Sequence, residues 1–196
     1  MEQSNNLNKE VKRFTSSNLS WVLSFIWGLS EGIFFFIVPD VIVAYIALNN
    51  RKKGFYSLIA SIIGSLLSAI IVFYLTAHYN MVNFLLNIPL ITQSLISGVQ
   101  QQLSLHGVSA VLSGPFSGVP YKIYSVEAAL SGISLPSFLS YSILSRLSRM
   151  LPVVVLTSII GIIFKKKITE NPKITIIIYS LIWILIYVLY ALFLLK

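Results

Sequence analysis

Six ionisable side chains lie within stretches of the sequence that are otherwise apolar. Three are acids and three are bases: Glu31, Asp40, Lys122, Glu127, Arg146 and Arg149. A charge at membrane depth is costly unless it is paired or hydrated, and such residues commonly mark a functional site. The bases can donate hydrogen bonds to a phosphate or carboxylate group, and acids beside them can change protonation state. We predict that these six residues bind a substrate or a proton.

A competing interpretation gives the same charges a structural role, in which paired acids and bases only hold two halves of the protein together. The rest of the sequence shows no pattern of residues typical of a catalytic site. It contains no cysteine, and it has no cluster of metal ligands, no nucleophile beside a base and no phosphate-binding glycine loop. We therefore expect no catalytic residue, metal or cofactor, and an enzyme is the least favoured class.

The composition predicts an integral membrane protein. Of the 196 residues, 56% are hydrophobic and only 10% are charged, whereas soluble domains carry about 25% charged residues. A soluble enzyme and a disordered chain are thereby excluded. The net charge of +8 comes from 14 Lys and Arg against 6 Asp and Glu, and the six charges within apolar stretches cancel. The excess lies in loops and ends, where Lys and Arg orient membrane proteins, so we expect no nucleic-acid partner.

The six charges must be positioned by two apolar stretches that proline and glycine interrupt, which we call broken stretches. Each is followed by a long apolar span. The first stretch covers residues 19–48, and the span after it reaches residue 77. The second stretch covers residues 108–133 and is followed by a span over residues 136–164. Because proline and glycine interrupt helices, we place the hairpin bends at four residues. These are Pro39, Pro115, Gly118 and Pro120.

Three further segments complete the organisation. Residues 81–106 repeat apolar side chains at helical spacing with Asn and Gln between them, which predicts an amphipathic helix lying in the membrane interface. Residues 174–195 form a last apolar span, long enough for a C-terminal transmembrane helix. Residues 1–18 form a polar N-terminal segment.

The two broken units form an internal repeat. Shifting the sequence on itself by 81 residues aligns identical residues at 12 of the 42 positions from 35 to 76, including F-x-x-V-P-x-x-I at each break. Repeat 1 covers about 19–77 and repeat 2 about 108–164, within one membrane domain of residues 19–165. One membrane crossing separates the copies, so they enter from opposite faces, as the inverted repeats of many secondary transporters do.

The positive charges favour re-entrant hairpins over single crossings. If residues 19–48 crossed once, the cations of residues 9–13 and 51–53 would lie on opposite sides. A hairpin puts both clusters, and the lysines of residues 165–173, on the cytoplasmic side with the N-terminus. The predicted fold is an all-α polytopic membrane protein. It comprises an inverted repeat of two re-entrant helical hairpins, each followed by a transmembrane helix, plus the interfacial helix and the C-terminal transmembrane helix.

Three motifs surround the charges: EGIFFFIVPD at residues 31–40, FSGVPYKIYSVEAALSG at 116–132 and SRLSR at 145–149. They resemble motifs of the DedA/VTT family of SNARE-associated membrane proteins, most closely FTPIPYKVFTIAAG and GRGAR of its small YqaA-like branch. In this resemblance Glu31 and Asp40 match two functionally important acids of the family. Ser117 and Ser142 depart from the main branch, which has an arginine and an asparagine at these positions.

The resemblance implies two opposed re-entrant hairpins and movement of lipids between membrane leaflets. Our leading interpretation is a flippase or scramblase of an anionic phospholipid or a polyprenyl-phosphate carrier, with proton coupling left open. Two alternatives stay open: a proton-coupled exporter of an ion or small solute, and a non-transporting membrane scaffold. We expect membrane lipids as partners, with a homo-oligomer as an option, and a location in the bacterial cytoplasmic (inner) membrane.

Overall fold

The computed structural model describes residues 2–194, which form α-helices and one short 3₁₀ helix, with no β-strand in that range. The helices are α1 (Glu2–Ser16), α2 (Leu19–Ile33), α3 (Asp40–Asn49), α4 (Arg51–His78), α5 (Met81–Leu86), α6 (Gln93–His106), the 3₁₀ helix (Gly107–Leu112), α7 (Gly114–Ser117), α8 (Tyr121–Leu130), α9 (Leu135–Ile163), α10 (Lys165–Glu170) and α11 (Pro172–Leu194). Met1 of the predicted first segment, Leu195 of the predicted last segment, and Lys196 lie outside the described residues.

Within residues 2–194, three helices, α4, α9 and α11, are long and apolar enough to cross a membrane. α4 has 28 residues and α9 has 29, and at about 1.5 Å per residue both exceed the ~30 Å hydrocarbon core of a bilayer. None of the apolar window of α11 is buried inside the protein, as expected for a helix whose surroundings are lipid. The predicted class, an all-helical membrane protein, is confirmed at this level.

Shorter helices flank the two predicted breaks. In the first unit, residues 34–39 separate α2 from α3, and Pro39 precedes the first turn of α3. In the second unit, Gly118 has a φ of +73° between α7 and α8, a conformation that a residue with a Cβ seldom adopts, and Pro120 precedes α8. Pro115 lies in the first turn of α7, where its missing N–H is tolerated, so it begins a short helix instead of forming a bend.

The 81-residue shift of the sequence recurs in the helix boundaries, because α3 and α8 are each 10 residues long and begin 81 residues apart. The long helices that follow, α4 and α9, differ in the side chains at two aligned positions. Ser65 and Ser68 of α4 align with Arg146 and Arg149 of α9. Both serines are fully buried, and a Cβ on Gly32 of α2 would overlap Ser68. Small residues therefore pack α4 closely on α2, whereas the equivalent positions of α9 carry arginines.

Residues 81–106 form two helices, α5 and α6, instead of the single predicted helix. Pro89 cannot donate a backbone hydrogen bond and disfavours a helical conformation in the residue before it, and Leu90 has a φ of +67°. The apolar faces of both helices, including Leu85 and Val99, belong to the main hydrophobic core. The helical spacing of apolar residues in this segment thus reflects packing against the protein core.

Candidate functional site

Two ion pairs join the first broken unit to α9. Arg146 Nη2 lies 2.6 Å from Glu31 Oε2, and Arg149 Nη2 lies 2.7 Å from Asp40 Oδ2. Glu31 lies near the end of α2 and Asp40 begins α3, on the two sides of the break. The arginines are three residues apart and share one face of α9. The break therefore allows two acids that are nine residues apart in the sequence to meet two bases that are one helical turn apart.

The two pairs differ in their access to open space. The side chains of Arg146 and Glu31 are 3% and 5% exposed, whereas that of Arg149 is 26% exposed beside an enclosed Asp40. The Arg146 guanidinium also lies over the Tyr121 ring, 4.1 Å from its centroid, and such cation–π contacts are strongest for desolvated cations. Arg146 is thus enclosed by protein, and Arg149 faces a cavity.

Each pair leaves hydrogen-bonding capacity unused. Among the described residues, the Nε atoms of Arg146 and Arg149 and Oδ1 of Asp40 are buried and make no hydrogen bond. Buried polar atoms are nearly always paired, and an arginine can bind a phosphate or carboxylate through two parallel N–H donors. Arg149 and Asp40 therefore have the spare donor and acceptor that an exchange of partners requires.

A cavity of about 330 Å³, which we call the charged cavity, opens beside Arg149. Its charged lining consists of two acids and two bases: Glu31, Asp40, Lys122 and Arg149. The rest of its wall is mostly apolar and comes from both breaks, from residues 88–91 between α5 and α6, and from the second half of α11. The formal charge of the lining is balanced, so a charged group that enters meets an opposite charge within a wall of low dielectric.

Lys122 and Glu127 are both buried in α8, but they have different surroundings. Lys122 Nζ donates a hydrogen bond to the carbonyl oxygen of Phe35 in the first break, at 2.7 Å, and lines the charged cavity. The Glu127 carboxylate has no ion pair among the described residues and does not line that cavity. Five helical residues rotate one side chain from the other by about 140°. The structure therefore brings five of the six predicted residues together and leaves Glu127 apart.

Sequence reasoning missed the residues of α11 that hold the two breaks. The Tyr187 hydroxyl accepts a hydrogen bond from the Val38 N–H at 2.7 Å, and the Tyr190 hydroxyl donates to the Gly118 carbonyl at 2.6 Å. Irregular backbone at membrane depth is tolerated where its polar groups find partners in protein, and these hydroxyls supply them. A signal was present, because four aromatic residues recur at helical spacing along one face of a mostly aliphatic helix. They are Tyr179, Trp183, Tyr187 and Tyr190.

Comparison with known proteins gives a relative but no activity. A protein of Haemophilus influenzae, described as an uncharacterized protein, is 31% identical to this chain over 156 residues. The alignment covers 78% of this chain and 79% of that protein. This chain belongs to the same family. No family model matches it, and no solved structure matches it. The function must accordingly be argued from the site.

Proposed function

We propose that this protein moves an anionic lipid across the membrane, as a flippase or scramblase of a phospholipid or a polyprenyl-phosphate carrier. The charged cavity is the observation that carries the proposal, because two bases and two acids line one mostly apolar space. A phosphate group needs cationic donors to pass through a region of low dielectric. Carboxylates that compete for the same donors then allow the phosphate to leave.

The proposal includes two re-entrant hairpins arranged as an inverted repeat. Lys53 Nζ donates a hydrogen bond to Asn18 Oδ1 at 3.0 Å, so the residues before α2 and the start of α4 are neighbours, which supports a first unit that enters and leaves on one side. α1 also lies against α10, which supports a common side for the cations of residues 9–13 and 165–167. By the charge rule that side is cytoplasmic, and we propose the bacterial inner membrane as the location. The resemblance of the three sequence motifs to the DedA/VTT family also supports this proposed arrangement.

Exchange of partners at Arg149 is the proposed entry step for the headgroup. The lipid phosphate accepts hydrogen bonds from the guanidinium of Arg149, including its unused Nε donor, and Asp40 is released. Lys122 supplies a second cation from the other unit. The released carboxylate can take up a proton, which is how proton coupling would arise. The enclosed pair of Arg146 and Glu31 keeps α9 fixed to α2 during the exchange.

Purified protein in liposomes tests the proposal. Phosphatidylglycerol and phosphatidylcholine with fluorescent headgroups, and a labelled polyprenyl phosphate, are followed by external dithionite quenching, with a pH dye inside the vesicles. We expect the anionic lipids to cross faster than in empty liposomes. If none of the lipids crosses faster than in empty liposomes, lipid translocation is refuted. A substrate-dependent pH change that does not depend on the headgroup would instead favour a proton-coupled exporter of a small solute.

A non-transporting scaffold is the second candidate, and the enclosed pair of Arg146 and Glu31 favours it. Their side chains are 3% and 5% exposed. A pair this enclosed can hold helices together without binding a substrate. Arg149→Ala distinguishes the two candidates. A scaffold should lose abundance or folding in this variant, whereas a transporter should keep its fold and lose lipid movement. Cellular abundance, gel filtration and the liposome rate measure these outcomes.

A further inference from the structure

A second cavity lies between the C-terminal half of α9 and the N-terminal half of α11, and we call it the groove. Its volume is about 850 Å³, and its lining is largely aliphatic. Three residues, Val153, Trp183 and Ile186, line both the groove and the charged cavity. Lys167 of α10 lines the groove as well, beyond the ends of the two long helices. The two spaces are therefore neighbours, with an apolar part next to a charged part.

We propose that the groove binds one acyl chain of an anionic phospholipid whose phosphate lies in the charged cavity. The inference rests on the proposed function, because it takes the charged cavity as the site of the headgroup. One molecule with a charged head and a long apolar chain matches both spaces at once. The groove runs along two helices apolar enough to span a membrane, so its surroundings supply acyl chains at very high concentration.

The length of the groove fits an acyl chain. Its lining on α11 extends from Ile174 to Ile186, which is about 18 Å of helix rise. The acyl region of one leaflet is about 15 Å deep, half of the ~30 Å hydrocarbon core. Ile174, Ile178 and Ile182 line the groove and are 55%, 52% and 52% exposed. The groove is therefore long enough for one chain and open for its lateral entry.

The relative depth of the two spaces assigns the leaflet from which the lipid comes. The groove lies on the side of the lysines of α10, whereas the charged cavity is bordered by residues 88–91 and by the second half of α11. In the proposed topology these borders face opposite sides of the membrane. The lipid therefore comes from the leaflet on the side opposite the lysines of α10. When its phosphate moves inward to Arg149, its acyl chain reaches the depth of the groove.

Two matched pairs of tryptophan variants test the proposal in full-length protein. Ile178→Trp fills the groove, and Ile177→Trp is its control, because Ile177 is 57% exposed on α11 and does not line the groove. On α9, Ile160→Trp and the neighbouring control Ile159→Trp form the second pair. The second pair keeps the test decisive if one groove variant fails to fold, which gel filtration detects.

The probes are phosphatidylglycerol and phosphatidylcholine that carry the same photoactivatable acyl chain, at trace levels in nanodiscs of phosphatidylcholine. We expect phosphatidylglycerol to label residues of the groove about fivefold more than phosphatidylcholine, equivalent to ~1 kcal/mol, with no preference at outward positions of α11. The groove variants should lose the preference and slow lipid movement in liposomes, and the controls should do neither.

The outcomes separate the groove from the proposed function. Equal labelling by both probes in a protein that still moves lipid overturns the groove alone. A protein that labels with the expected preference but moves no lipid overturns translocation and retains the groove as a lipid-binding site. Unlabelled polyprenyl phosphate and unlabelled phosphatidylglycerol are also compared as competitors of the phosphatidylglycerol probe. If the polyprenyl phosphate displaces the probe at the lower concentration, the assignment of the groove to an acyl chain is overturned.

Discussion

Loss of Arg146 should destabilise the protein far more than loss of Arg149, although the two ion pairs have similar lengths of 2.6 and 2.7 Å. In Arg146→Met, the Glu31 carboxylate, 5% exposed, loses its ion pair with a guanidinium that is 3% exposed. Breaking a buried pair in this way costs about 3–5 kcal/mol. Arg149 is 26% exposed and itself lines a cavity of about 330 Å³ that is large enough for water, whereas Arg146 does not line that cavity. For Arg149→Met we expect roughly 1–2 kcal/mol, between the values of surface and buried pairs.

The free energy of unfolding in detergent, measured by titration with sodium dodecyl sulfate and followed by circular dichroism, checks this difference. A double variant, Glu31→Leu with Arg146→Met, is the control. Replacement of a buried ion pair by apolar side chains of similar size is often neutral, so the double variant should recover most of the stability lost in Arg146→Met. If the two arginine variants lose equal free energy of unfolding, the pair of Arg146 and Glu31 is not the structural pair and the pair of Arg149 and Asp40 is not the functional one. A double variant as unstable as the single one would contradict the same assignment of roles.

Three smaller changes test the packing around the site by the same unfolding measurement. Tyr190→Phe removes the hydrogen bond to the Gly118 carbonyl and should cost about 1 kcal/mol; an unchanged stability would contradict support of the second break by α11. Gly161→Ala places a Cβ against the Leu48 backbone and should cost roughly 1–3 kcal/mol. Gly98→Ala, a helical position with nothing within 4 Å, should instead stabilise by about 0.5–1 kcal/mol, and a loss there would show that the cost at Gly161 is not steric.

Several parts of the fold could be predicted because their signals are local. The scarcity of charge and the length of the apolar spans were sufficient for the membrane class. Pro39 and Pro120, aligned by the internal repeat, predicted breaks that the structure has immediately before α3 and α8. The break at Pro89 was missed, because apolar spacing continues through it and gave a stronger signal than a single proline.

The contacts of the candidate site depend on how helices meet, and the sequence does not determine that by local signals. Opposite charges predicted attraction, but the choice of Arg146 for Glu31 and Arg149 for Asp40 follows from the position of α9 beside the first break. In the sequence Glu127 is a weaker candidate than the other acids, because five residues after Lys122 it could serve only to neutralise that base. In the structure its position on α8 turns it away from the charged cavity. The binding of lipid or protons by these residues stays a prediction.

The rate at which an anionic headgroup crosses liposomes that contain Asp40→Leu with Arg149→Met tests the central claim most directly. This double variant removes one acid and one base of the charged cavity, so it keeps the net charge, and an apolar pair should preserve stability. We predict a folded protein whose rate of phosphatidylglycerol crossing falls at least about tenfold, equivalent to ~1.4 kcal/mol in the barrier. A folded double variant that moves phosphatidylglycerol at the wild-type rate would contradict passage of the headgroup through this cavity.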